Sequence, residues 1–129
     1  MIKKSALAFG FFLMFFGTAQ ADSLTFQRIQ REAAGGSAEA ENKLGVYYAI
    51  GLGVTQDDYE AVTWYRLAAE QGYAEAQFNL GEMYEEGRGV PKSIPAAMEW
   101  YEQACTNGWG CGCKKYRMLS RSIGNAGDQ

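Results

Sequence analysis

Apolar and small residues in the middle of the chain fall three and four positions apart, in two sets that both return 36 residues later. Ala40, Leu44 and Tyr48 return as Ala76, Leu80 and Tyr84. Ala61, Trp64, Tyr65 and Ala68 return as Ala97, Trp100, Tyr101 and Ala104. Spacings of three and four place each set on one face of a helix. Between the sets, Gly51-x-Gly53-Val54 returns as Gly87-x-Gly89-Val90, and Gly36, Gly72 and Gly108 mark the unit ends. No gap is needed. A fixed period of this size, with two helices per unit, is the pattern of a helical-repeat solenoid. One such pair cannot cover its own apolar stripe, so stacking is required.

The punctuation agrees with the periodicity. The first helix of a unit is expected over about 38–50, with Gly51 where a C-terminal cap needs a left-handed residue. Asp57 fits an N-cap with Glu60 three positions on, and Ser93 takes the same place in the next unit. Pro95 falls in a first turn, where a missing N–H costs little. Ala40, Gly45, Ala61 and Ala68 let helix backbones approach, while Trp64 and Tyr65 fill the space between pairs. Burying one such ring stabilises by about 2–3 kcal/mol.

The flanks read as caps. Residues 22–36 align with 58–72, but Arg28 and Ile29 stand where Trp64 and Tyr65 would be, which suits a polar outer helix. Residues 109–123 take the register of a first helix. There Tyr116 holds the Leu44 position, and Arg117 replaces Gly45 and Gly81, too bulky for another helix to approach. The expected fold is all-α: a short α-α superhelix of antiparallel pairs, about six helices in one domain over 22–123. It divides into an N-terminal capping helix (22–36), repeat one (37–72), repeat two (73–108) and a C-terminal capping helix (109–123). Residues 124–129 are expected as a disordered tail.

The first 21 residues stand apart from the repeat. Lys3-Lys4, an uncharged run from Ala6 to Phe16 and then Ala19-Gln20-Ala21 have the three-part layout of a secretory signal. The run is short for a permanent span. The expectation is cleavage before Asp22, export to the periplasm or beyond the cell, and no stable membrane span afterwards. Losing Lys3 and Lys4 takes the formal net charge from −3 to −5, a balance opposed to nucleic-acid binding.

Catalytic chemistry is thin. The chain has no histidine, so a Ser-His-Asp triad cannot be built and the commonest general base and metal ligand are missing. None of Ser23, Ser37, Ser93, Ser120 and Ser122 has a lysine three positions on, so a Ser-x-x-Lys nucleophile is absent. The Gly-x-Gly loops carry Gln56 and Lys92 where a nucleotide-binding loop has its third glycine, and read as helix caps. The Trp-Tyr pairs read as core and not as a sugar platform. No cofactor and no metal are expected.

The pattern A-x-x-x-L-G-x-x-Y-x-x-G-x-G-V, then A-x-x-W-Y-x-x-A and a closing glycine, resembles the Sel-1-like repeat family, a branch of the tetratricopeptide-type solenoids. Ala40 to Gly72 and Ala76 to Gly108 match it closely and the flanks in part. The resemblance implies an adaptor or scaffold for protein complexes, with a protein or peptide as partner.

Cys105, Cys111 and Cys113 are the cysteines of the chain. Ala104-Cys105 followed by Gly112-Cys113 is similar to the cysteine-rich secreted members of that family, where pairs eight apart clamp each repeat. Here one of the two complete repeats has such a pair. The resemblance and an oxidising compartment favour Cys105–Cys113, worth about 2–3 kcal/mol in the chain-entropy model. A Cys105–Cys111 bridge and a thiol-exchange or metal role for Cys111-Gly112-Cys113 stay open, though three thiols without histidine make a poor zinc site. A spare Cys111 can also join two chains into a disulfide-linked dimer. The same relatives have been linked to β-lactams, so the alternative function is a cell-wall or β-lactam-binding protein with β-lactamase-like activity.

In stacked helix pairs the first helices line the concave surface. A wheel centred on Leu44 puts Asn42, Val46 and Ile50 on the face away from the second helix. Phe78, Glu82 and Glu86 hold the matching positions in the next unit, followed by Lys114, Met118 and Ser122. Lys43 and Asn79 lie at the edge, placed to bond a peptide backbone. An exposed apolar strip here would mark a partner-binding groove.

Overall fold

The computed structural model describes residues 22–127. The proposed leader, and the last two residues of the proposed tail, lie outside the described residues. Among the described residues there are six helices and no strand. Helix α1 covers residues 22–34. It is followed by α2 (Ala38–Ile50), α3 (Asp58–Glu70), α4 (Ala74–Glu86), α5 (Ile94–Thr106) and α6 (Gly110–Ala126). From α2 onward each helix packs on the next in sequence, giving the stacked antiparallel hairpins that the period demands.

The helix ends sit where their sequence places them. The Asp57 carboxylate accepts from the N–H of Tyr59 and Glu60 at 3.0 and 3.1 Å, and the Ser93 hydroxyl from Ala96 N at 3.2 Å. Both residues thereby satisfy donors that a first turn leaves unpaired. Gly51 and Gly87 cap α2 and α4 at φ 70° and 68°, a conformation that costs glycine nothing. One expected boundary moves. Helix α6 runs to Ala126, so residues 124–126 of the expected disordered tail are helical. Gly124-Asn125-Ala126 contains no proline, and each added residue needs only one more hydrogen bond once a helix is nucleated.

Two aromatic-on-glycine contacts hold the hairpins. A Cβ on Gly45 would stand 2.4 Å from the Tyr65 ring, and one on Gly81 would stand 2.7 Å from the Tyr101 ring. The small residue of the first helix therefore seats the tyrosine of the second, not its backbone. Both tyrosines are buried, and burial pushes the Tyr65 hydroxyl up to about 12. Trp64 is half-buried against Ile29, Ala33, Ala40 and Leu44, and so joins α3 to α1 and α2. Trp100 packs in the same way on the core built around Tyr65, Leu80 and Met83.

Each hairpin also closes with a polar clasp. Gln71, capping the end of α3, donates to the buried Glu41 of α2 at 2.6 Å. Asn107, capping the end of α5, donates to the buried Gln77 of α4 at 2.9 Å. The pairs occupy the same repeat positions with different chemistry. Gln77 also donates to Ala69 O at 3.0 Å, which ties its hairpin to the one before.

Candidate interaction surface

Side chains join the first helices into one row. Asn79 on α4 donates to Asn42 on α2 at 3.0 Å, and Lys115 on α6 donates to Glu85 on α4 at 2.9 Å. Residues expected to meet a partner divide accordingly. Asn42 is 3% exposed, and its carbonyl is already bonded by Asn79. The two amides hold α2 and α4 together, and one N–H of the Asn79 amide is engaged in doing so.

The expected open apolar strip is mostly internal as well. Val46 is half-buried against the core around Tyr65 and Leu80. Phe78 is half-buried, its ring centre 5.4 Å from that of Tyr101 and 6.5 Å from that of Trp109. Such tilted contacts suit aromatic quadrupoles and make Phe78 part of the α4–α5–α6 packing. Ile50 alone of the three is open, at 64% exposure. Lys43 is exposed and bonds Glu39 one turn earlier, while the exposed Glu86 lies 3.7 Å from Arg88.

The α4 acids differ in their surroundings. Glu82 is half-buried, and burial raises its carboxyl above the usual range; Lys115 and Arg88 oppose the shift, while Glu86 and Glu85 add to it. Burial acts on Glu85 too, but bonds from Tyr101 and Lys115 outweigh it and hold that carboxyl below the usual range. This is a surface rich in negative charge, in which Glu85 has close hydrogen-bonded partners and Glu82 feels Lys115 and Arg88 only at longer range.

Several interacting residues escaped the reading of the sequence. Arg88, in the loop after α4, pairs with Asp58 at the start of α3, and Lys115 on α6 pairs with Glu85, one of the α4 acids whose sequence cluster suits a cationic partner. The period conceals Arg88 because its counterpart is Leu52, and Lys115 because its counterpart is Asn79. Trp109, the N-cap residue of α6, lies one period beyond Tyr73, the N-cap residue of α4, which is the signal in the sequence that marks it.

Cys105 and Cys113 are joined, with Cα atoms 4.5 Å apart, and Cys111 is an exposed free thiol. Gly112 makes room for the bridge: a Cβ there would come within 2.8 Å of Ala104 Cβ and of Tyr101 O. The bridge ties the end of α5 to the first turn of α6. Among the described residues no helix is long and apolar enough to cross a membrane, and no cluster of Cys, Asp or Glu could hold a metal ion.

Comparison with known proteins agrees with this architecture. Among curated proteins there is no significant match. Among solved structures, a Sel1 repeat protein from Oxalobacter formigenes is 33% identical with TM-score 0.72, over 83% of this chain and 44% of that one. The antigen c5321, present in uropathogenic Escherichia coli strains and displaying an SLR fold, is 34% identical with TM-score 0.70, over 73% and 20%. Cysteine-rich protein B of Helicobacter pylori is 27% identical with TM-score 0.67, over 69% and 67%. The chain thus spans less than half the length of the first two. The family profile described as Sel1 repeat matches residues 38–73 and 74–109, which are the two hairpins α2–α3 and α4–α5 with their capping turns. With more than half its length in those two units, the chain belongs to the Sel1 repeat family.

Proposed function

We propose that this protein is an exported adaptor that holds a protein or peptide segment along the row formed by α2, α4 and α6. Membership of a family of interaction scaffolds is the observation that carries the reading. Its residues that recur every 36 positions are spent on packing, which leaves Lys43, Ile50, Glu82 and Glu86 as the partner-facing positions. Glu82, whose carboxyl stays raised by burial despite Lys115 and Arg88, stands with Glu86 on a face that favours a basic segment. Export rests on the leader-like pattern in residues 1–21 and on the Cys105–Cys113 bridge, which persists in oxidising compartments.

The test is crosslinking in the native envelope, comparing wild type with a combined Lys43→Glu, Ile50→Asp and Glu86→Lys variant. All three positions are exposed, so the fold should survive and helical circular dichroism should be unchanged. Loss of the crosslinked partner is expected. An undiminished crosslink from a folded variant would remove the first-helix row from consideration. Amino-terminal sequencing of the exported product checks the leader: it should begin at Asp22.

A further inference from the structure

The two junctions between a Gly-x-Gly loop and the preceding second helix are built differently. At the later junction Arg88, between Gly87 and Gly89, lays its guanidinium on Asp58 at the start of α3. Nη2 lies 2.7 Å from Oδ1 and Nε 3.3 Å from Oδ2, and Nη2 also donates to Ala49 O at 3.0 Å. The loop is pressed down there: a Cβ on Gly89 would stand 2.3 Å from Asp58 O and 3.0 Å from Val62 Cγ2.

One period earlier the same positions are Leu52, Gly53 and Asp22. Leu52 is 51% exposed, and a Cβ on Gly53 would meet nothing within 4 Å. Among the described residues no Lys or Arg side chain pairs with Asp22; the proposed cleavage before it would add an α-ammonium on the same residue, with which an incoming guanidinium must compete for the carboxylate. The loop stands off α1 and leaves a cleft of about 290 Å³ lined by Asp22, Phe26, Tyr47, Leu52 and Gly53. The counterpart of Ala49 is residue 13, outside the described residues, so the comparison rests on the carboxylate and the loop.

From this contrast we infer that the cleft receives an arginine side chain from a partner peptide, seated on Asp22 as Arg88 is seated on Asp58. The chemistry selects arginine. A carboxylate at the mouth accepts a two-pronged guanidinium, a geometry an ammonium cannot match. The Phe26 and Tyr47 rings, with centres 5.7 Å apart, give the guanidinium plane an aromatic wall. Leu52 supplies apolar surface for the methylene stem. The cleft lies at the α1 edge, on residues distinct from those of the first-helix row, so either site can fail without the other.

The experiment is an NMR titration of the protein, as its host produces it, with the peptide acetyl-Gly-Arg-Gly-amide. Lysine and citrulline versions serve as controls, citrulline keeping the shape without the charge. Saturable shifts at the amides of Phe26, Leu52 and Gly53 are expected with arginine, weaker shifts with lysine and none with citrulline. Asp22→Asn should weaken binding by about tenfold, the loss of one charge-assisted pair. Leu52→Arg should abolish it while raising Tm, because the cleft is then filled from within. No saturable shift at millimolar peptide overturns the inference, as does undiminished binding by a folded Asp22→Asn variant. Shifts at the same amides on raising protein concentration alone also overturn it, by assigning the cleft to a second copy of the chain.

Discussion

Gly81 shows how the sign of a substitution depends on one neighbour. In an open helix interior, Gly→Ala stabilises by about 0.5–1 kcal/mol through backbone entropy. Here the new Cβ would stand 2.7 Å from the Tyr101 ring, and overpacking of a filled core costs about 1–3 kcal/mol. The steric term should win, so Gly81→Ala is expected to lower the urea midpoint. The α4 acids make a matched pair of pH tests. Glu82 has a raised carboxyl in the fold, so its ionised form opposes folding at neutral pH. Glu82→Gln should therefore raise Tm at pH 7, and the gain should vanish as pH falls below the carboxylate range. Glu85 has a lowered carboxyl, so its stabilisation is full above the unfolded value and is lost as pH falls through the folded one. Glu85→Gln should lower Tm at pH 7 and have no effect at the acid end of the same thermal melts. The landmarks Leu44, Tyr65, Leu80 and Tyr101 were legible in the sequence because each recurs in type and spacing. The Asn42–Asn79 bond was not, since it joins positions 37 apart, one step out of the period.

Caps and spacing placed the helices to within a residue or two, except at the α6 end, where Gly124 reads as a stop but the helix runs through it to Ala126. Helix α6 has a hairpin partner on one side only, in α5, and the bridge is what fixes its first turn. Reduction should cost about 2–3 kcal/mol by the chain-entropy model. It should be felt unevenly: amide exchange ought to quicken in α6 before α2 or α3 when a reductant is added. Uniform acceleration across all helices would show that the bridge holds the whole stack. Cys111→Ser should leave both the bridge and the exchange pattern intact, because the Cys111 thiol is exposed and free.

For the whole molecule, the architecture was readable and the interaction surface only partly so. A repeat announces what holds neighbours together, since those residues must recur. A binding surface depends on what differs between units, and periodicity is silent there. Val46 and Phe78 looked like one open strip on a helical wheel, yet tertiary packing draws both inward. Leu52 and Arg88 hold the same middle position of the Gly-x-Gly loop, which the repeat leaves unspecified, yet Leu52 borders a cleft and Arg88 closes its loop onto Asp58. Ion pairs such as Arg88–Asp58 are about a third exposed and contribute about 0–1 kcal/mol each, so stability rests on the stacked aromatics instead.

The clasps Gln71–Glu41 and Asn107–Gln77 have a consequence for the protein's possible lengths. Each fastens a hairpin to itself, so the polar closure of a unit does not depend on which unit follows it. A third unit, made by duplicating residues 73–108 in tandem, should therefore fold without redesign and melt at a higher temperature. Its new arginine would face Ile94 and find no acid there, so the added seam lacks the ion pair of the Arg88–Asp58 seam, and the first copy of Cys105 has no cysteine eight positions on.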